Sequence, residues 1–304
     1  MNYRTNKLTY WWLAIRPRTL WAAVSPVAIG SSLAYLYDSF SLTWFFIPLV
    51  ISLLIQMATN LHNDWADSKT GVDSKDRLGP IRVTQAKLIN PNKVLIGSSI
   101  LFAFAGVFST LGIVRAGWPI VVILVASILT AISYTGKPFR FGYHGLGEFF
   151  VLIFFGPVAV GTTYFLQTLT FNPVVIGISL GPGLLATGIL IVNNLRDYET
   201  DDKSNKKTLT VKFGKTFTKI EYLIVLLTGT IIPPLLLYAN NQTIYKWFLI
   251  IPITTTIPAL IILKEFFLLK EKKQLNELLA KNAQLLILQA ILIFISILLM
   301  KLME

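Results

Sequence analysis

Residues 43–76 read TWFFIPLVISLLIQMATNLHNDWADSKTGVDSKD, and the change of character inside this stretch decides the fold. Residues 43–62 carry no Asp, Glu, Lys or Arg. About 20 such residues, at 1.5 Å of helical rise each, cross the roughly 30 Å of a bilayer's hydrocarbon. Immediately beyond, Asn60, Asn63, Asp64 and Asp67 follow at i, i+3, i+4 and i+7, so their oxygens share one face of a helix leaving the membrane. Past Asp67 the spacing turns irregular at Gly71, which puts Asp73 and Asp76 on a loop expected to fold back over that face.

Comparable apolar runs occur at about 20–37, 94–114, 118–134, 147–168, 173–194, 220–238, 247–264 and 283–301, which predicts about nine spans. The chain of 304 residues is 54% hydrophobic and only 14% charged, a composition suited to lipid rather than to water. The first run leads straight into further spans and lacks a small-residue cleavage site, so it is expected to remain as a span. Counted by loop, 24 of the 27 Lys and Arg fall on one side of the membrane, leaving Arg115, Lys246 and Lys301 on the other. That bias makes the loaded side cytoplasmic, with the N-terminus inside and the C-terminus outside. The net charge of +12 is therefore a topology signal and implies no nucleic-acid partner. With no cysteine, thiolate metal sites and Cys nucleophiles are excluded, and two histidines make an imidazole-rich centre unfavourable.

Eight of the 15 acidic residues lie in two short segments. The second, NNLRDYETDDKSNKKTL over 193–209, repeats the pattern: Asn193 or Asn194, Asp197 and Asp201 stand three or four apart at the end of the sixth run. Packed carboxylates repel one another unless a cation neutralises them. Mg²⁺ takes one or two carboxylates together with phosphate oxygens, so two facing Asp-bearing helices suit a diphosphate bridged by metal. Arg16, Arg18, Arg77, Arg82, Lys137, Arg140, Lys206 and Lys207 supply nearby positive charge. Tyr134, Phe139, Phe141 and Tyr143 offer ring faces for an allylic cation or anchors at the interface. His144 and Glu148 read as a base and its partner, or as a structural polar pair at a span's entry. A cation-coupled lipid carrier also fits paired acids, with Gly181-Pro182-Gly183 as a break in the sixth span. No DG-x-x-AR segment is present, which argues against a lipid-alcohol phosphotransferase.

Paired Asn/Asp-rich motifs on the second and sixth of nine spans resemble the intramembrane aromatic prenyltransferases of the UbiA superfamily. The segments IRPRTL (15–20), NDWADSKTGVDSKDRLGP (63–80), YTGKPFRFGYHGLGE (134–148) and VNNLRDYETDDKSNKKTL (192–209) are similar to its 1,4-dihydroxy-2-naphthoate branch. The six-residue step from Asp67 to Asp73 departs from the three-residue spacing of the hydroxybenzoate branch. The resemblance implies a single all-α domain over 1–304 in the cell (inner) membrane, its helices surrounding a central cavity capped by cytoplasmic loops. It implies transfer of a polyprenyl group from polyprenyl diphosphate to 1,4-dihydroxy-2-naphthoate, with loss of CO₂ and a proton, in menaquinone biosynthesis. Mg²⁺ is the implied cofactor, and membrane lipid surrounds the site. The expected metal set is Asp64, Asp67, Asp73, Asp76, Asp197 and Asp201, with Lys137 and Arg140 joining Asp67 and Asp197 in catalysis. The expected substrate contacts are Asn60, Asn63, Arg77, Tyr134, Tyr143, His144, Glu148, Asn193, Asn194 and Lys206. A sister acceptor such as 4-hydroxybenzoate is the alternative substrate.

Overall fold

Helix starts are written locally in the sequence. In a computed structural model of the chain, which describes residues 6–69, the backbone of Thr70, residue 79, and residues 81–269 and 271–304, Asn-Pro pairs open two of the long helices. Asn90 Oδ1 accepts from Asn92 N at 2.9 Å and Asn172 Oδ1 from Val174 N at 2.9 Å, each with proline at the next position, where its missing N–H costs nothing.

The helices are α1 (Lys7–Ile15), α2 (Trp21–Leu36), α3 (Leu42–Thr70), α4 (Pro91–Ala116), α5 (Trp118–Ser133), α6 (Gly147–Ile153), α7 (Ala159–Thr168), α8 (Pro173–Arg196), α9 (Tyr198–Lys203), α10 (Leu209–Ala239), α11 (Thr256–Phe267) and α12 (Leu275–Met303). A π-turn over Phe154–Val158 joins α6 to α7, and a 3₁₀ segment, Lys246–Thr255, leads into α11. Among the described residues, seven helical stretches are long and apolar enough to cross a membrane, or eight if α1 and α2, bent by 48°, count as one span. Trp118–Ser133, the fourth of the nine expected spans, is only 16 residues long and falls short by that measure. The expected all-helical architecture is therefore present, and the described residues supply seven or eight such spans rather than nine.

The most buried span is α8, with 61% of its apolar window inside the protein. On one side Leu185, Ala186, Ile191 and Val192 pack against Tyr222 and Leu226 of α10, Phe266 of α11 and Leu278 of α12. Nearer its start, Val175 and Ile178 meet Ile29 and Leu33 of α2 and Ile293 and Ile297 of α12. Inside that packing Tyr222 and Asn282 bond to each other, Asn282 Nδ2 donating to the phenol oxygen at 2.8 Å, as a polar pair buried among apolar helices must. The Gly181-Pro182-Gly183 segment does not break α8, which runs unbroken through it. The irregular backbone lies instead in the neighbouring π-turn at Gly156 (φ −101°, ψ −105°), beside Pro157. Gly181 and Gly183 lie where α8 closely approaches its neighbours: an added Cβ would stand 3.0 Å from Gly229 O and 2.5 Å from Leu152 O respectively.

Candidate active site

Bending at Arg16 begins the site. Arg16 adopts a left-handed conformation (φ 53°), ending α1, and Pro17 starts a new short turn. Asn60 holds this elbow: its Nδ2 donates to Ile15 O at 2.8 Å and to Thr19 Oγ1 at 3.0 Å. The elbow, the helices from α2 to α9, and α12 line one cavity of about 940 Å³. Its depth is lined by groups such as Ile51, Ile123, Leu124, Phe154 and Phe155, and its mouth by the polar ends of α3 and α8.

At that mouth the structure brings together Asn60, Asn63, Asp67, Tyr134, Asn193, Asp197, Asp201 and Lys206. Asp67 Oδ2 accepts from the Arg82 guanidinium at 2.6 Å, and Asp67 Oδ1 from the Tyr143 hydroxyl at 3.2 Å. Asp197 accepts both arms of Arg196, Nε at 2.8 Å and Nη2 at 2.7 Å. Asp201 accepts from Lys206 Nζ at 3.1 Å. Burial pushes the Asp201 carboxyl above its ordinary range; Lys206 opposes this, while the charges of Asp197 and Asp67 add to it. Asp67 from the first acidic segment and Asp197 and Asp201 from the second thus line one mouth. Tyr134, at the end of α5, lines the same mouth.

Tyr134 is fixed by close backbone approach. Gly142 N donates to Tyr134 O at 2.9 Å, and a Cβ on Gly142 would lie 3.1 Å from the ring. A Cβ on Gly147 would lie 3.0 Å from the hydroxyl. Asn63 is held by Thr135, whose Oγ1 donates to its Oδ1 at 2.8 Å.

Other expected residues stand elsewhere. Asp64 is turned off the cavity: it accepts from Val83 N at 3.0 Å, Thr84 N at 3.4 Å and the Thr84 hydroxyl, so it shapes the segment that carries Arg82. Glu148 and Asn194 lie behind the cavity wall, joined by Asn194 Nδ2 to Glu148 Oε1 at 2.7 Å. Lys137 and His144 are exposed away from the mouth. Arg140 lies over the Tyr143 ring, 5.2 Å from its centroid, which places both one layer out from the cavity lining. Asp73, Asp76 and Arg77 lie outside the described residues. Among the described residues no three acidic or histidine side chains converge into a ready metal centre.

Sequence reasoning read Arg196 as a topology charge only, and missed Asn276 altogether. Arg196 joins the sites: beyond Asp197 it donates to Asn193 Oδ1 at 2.7 Å and to Asn276 Oδ1 on α12 at 3.0 Å. Arg next to Asp within an Asn-rich motif was the available signal; nothing local marks Asn276, which arrives from 80 residues away.

Asp64→Ala is expected to act through stability. It strands two backbone N–H groups and a hydroxyl, a loss of roughly 1–3 kcal/mol, visible as a lowered Tm in detergent. Metal affinity lost at an unchanged Tm would instead return Asp64 to the metal set.

The fold has solved counterparts. A UbiA homolog from Archaeoglobus fulgidus, solved bound to GPP and Mg²⁺, superposes with a TM-score of 0.65 over 93% of this chain and 99% of that one, at 14% identity. In sequence, the 1,4-dihydroxy-2-naphthoate octaprenyltransferase of Haemophilus influenzae is 35% identical over 245 residues, covering 73% of this chain and 74% of that protein. The enzyme of the same name from Mycobacterium tuberculosis is 36% identical over 218 residues, covering 70% and 72%. With the UbiA prenyltransferase family's model matching residues 23–300, the chain belongs to that family.

Proposed function

We propose that the protein is a Mg²⁺-dependent prenyltransferase that joins a polyprenyl group to 1,4-dihydroxy-2-naphthoate, giving demethylmenaquinol, with its Asp-bearing end in the cytoplasm. The observation that carries this reading is a single cavity, apolar in its depth, whose mouth combines three aspartates with Arg82, Arg196 and Lys206. The names of the bacterial relatives support the naphthoate acceptor.

Carboxylate and amide oxygens on facing walls suit a hard cation that draws its remaining ligands from substrate oxygens and water. Asp67, Asp197 and Asp201 would hold it, and the metal would neutralise charge on the departing diphosphate. The rest is done by the chain. The basic side chains at the mouth orient the diphosphate, and the apolar lining takes the isoprenoid tail and keeps water from the reacting carbon. The bond from the allylic carbon to diphosphate oxygen breaks, its electron pair leaving with the diphosphate. An electron pair of the naphthoate ring forms the new C–C bond, loss of the proton from that ring carbon restores the aromatic ring, and a proton taken up at the carboxyl-bearing carbon releases CO₂, so that the carboxylate is exchanged for hydrogen. The Tyr134 ring, closely approached by Gly142 and Gly147 and lining the cavity, is the aromatic group that would stabilise the allylic cation.

Inverted membrane vesicles containing the protein, given 1,4-dihydroxy-2-naphthoate, a polyprenyl diphosphate and Mg²⁺, are expected to form prenylated product by mass spectrometry, and external EDTA is expected to stop it. In right-side-out vesicles, preloaded with Mg²⁺ and both substrates, external EDTA should leave the reaction running. Prenylation of 4-hydroxybenzoate alone would overturn the acceptor, and EDTA sensitivity only in right-side-out vesicles would reverse the orientation.

A further inference from the structure

Each of the three cavity-lining aspartates among the described residues carries a basic partner that lines the same cavity: Asp67 has Arg82, Asp197 has Arg196, and Asp201 has Lys206. The Arg196 pair is the most complete. Its guanidinium covers both carboxylate oxygens of Asp197, its side chain is 1% exposed, and Asn193 and Asn276 take further N–H groups. A metal ion and this guanidinium compete for the same two oxygens. A diphosphate offers Arg196 the same planar, bidentate geometry that the carboxylate does.

We propose that Arg196 is an exchange residue: it leaves Asp197 for the substrate's diphosphate, so that metal and diphosphate are taken up as one unit, while Asn276 keeps the guanidinium at the mouth. This rests on the diphosphate reading of the site given above. The exchange leaves net charge nearly balanced at every stage, because the anion arrives as the carboxylate is released to the cation. Arg82 makes one such bond to Asp67 Oδ2 from the other acidic segment, so Asp67 and Asp197 are each held by a guanidinium until an anion draws it away. Asn276 enters from α12, which ties the start of that helix to the second acidic segment and gives it a positioning role no motif marks.

Metal binding without turnover reads the exchange directly. Mn²⁺ is titrated into detergent-purified protein, with free Mn²⁺ followed by electron paramagnetic resonance, in the presence and absence of inorganic diphosphate; free diphosphate's own Mn²⁺ binding is measured in parallel. Wild type is expected to bind Mn²⁺ at least about tenfold more tightly with diphosphate than without it. Arg196→Gln, which uncovers Asp197, is expected to bind Mn²⁺ more tightly than wild type when diphosphate is absent, and to lose most of the diphosphate-linked gain. Asn276→Ala is expected to weaken diphosphate binding while keeping the Mn²⁺ affinity of the diphosphate-free protein, and it serves as the second variant if Arg196→Gln does not fold. Equal Mn²⁺ affinity with and without diphosphate in wild type would overturn the exchange and leave the prenyltransferase reading standing. If wild type binds Mn²⁺ under neither condition, the diphosphate–metal reading of the site falls as well.

Discussion

Asp197→Asn is expected to lower the single-turnover rate of prenyl transfer by about 10²–10³-fold, a loss on the scale seen when one group facing developing charge is removed. The substitution keeps shape and removes only charge. In the folded protein Asp197 is buried at the cavity mouth, bonded to both arms of Arg196 and within the electrostatic reach of Asp201. An amide there would still accept one Arg196 N–H, so the α8 end should hold together, whereas the capacity to hold a divalent cation falls. Removing one charge of a buried pair also destabilises, typically by about 3–5 kcal/mol when the other is left bare. Asn193 and Asn276 moderate that cost here because they already receive two Arg196 N–H groups. The measurement is therefore rate per folded molecule, with folding checked by size-exclusion chromatography and Tm. A rate within about threefold of wild type, from protein that is folded, would remove Asp197 from the chemistry.

Much of this site was legible because its two halves obey helical spacing. Asn63 and Asp67, and likewise Asn193 and Asp197, are one turn apart at the ends of apolar runs, and the structure sets all four on one cavity. The same rule failed for Asp64. It lies beside Asn63 on the helix, but a chain segment returning from residue 82 onward captures its carboxylate with backbone N–H groups, and spacing within one helix carries no information about that return. Glu148 and His144 illustrate a second limit. The four-residue step put them on a common face only if one helix held both, yet α6 begins at Gly147, so His144 falls in the preceding turn and Glu148 faces Asn194. The span count suffered from the same cause as the misplaced helix break: hydropathy registers apolar length, whereas the bend at Arg16, the 16-residue α5 and the π-turn at Gly156 are set by backbone conformation and packing. Asn276 was invisible as a site residue because its meaning is a contact between α8 and α12, whereas Arg196 carried a local signal in its place beside Asp197.

Gly183→Ala is expected to be among the most damaging single changes at the bundle's centre, although it adds one methyl group. The ideal Cβ would stand 2.5 Å from Leu152 O and 3.1 Å from the Gly156 Cα, both backbone atoms of the facing α6 and its π-turn. A side chain can rotate out of such a clash; a carbonyl held in a helix cannot, so α8 would have to withdraw by roughly 1 Å, with overpacking of this kind costing about 1–3 kcal/mol. Close approach through small residues is the main way helices associate where lipid is as apolar as leucine. Withdrawal would also be transmitted to the mouth, since Asn193, Arg196 and Asp197 ride on the end of the same helix, and Thr187 and Asn194 bond to Glu148 on α6. Displacements near 1 Å at reacting groups can cost about 100-fold in rate. Gly183→Ala should therefore lower Tm and rate together, and Gly183→Leu should prevent recovery of folded protein from membranes. The control is Gly106→Ala on α4, where an added Cβ meets nothing within 4 Å. Helix propensity alone applies there, and the variant should gain up to about 1 kcal/mol of stability with unchanged activity. A tolerated Gly183→Ala, with wild-type Tm and rate, would mean that α6 and α8 are not held together by this contact and that the site's geometry is set elsewhere in the bundle.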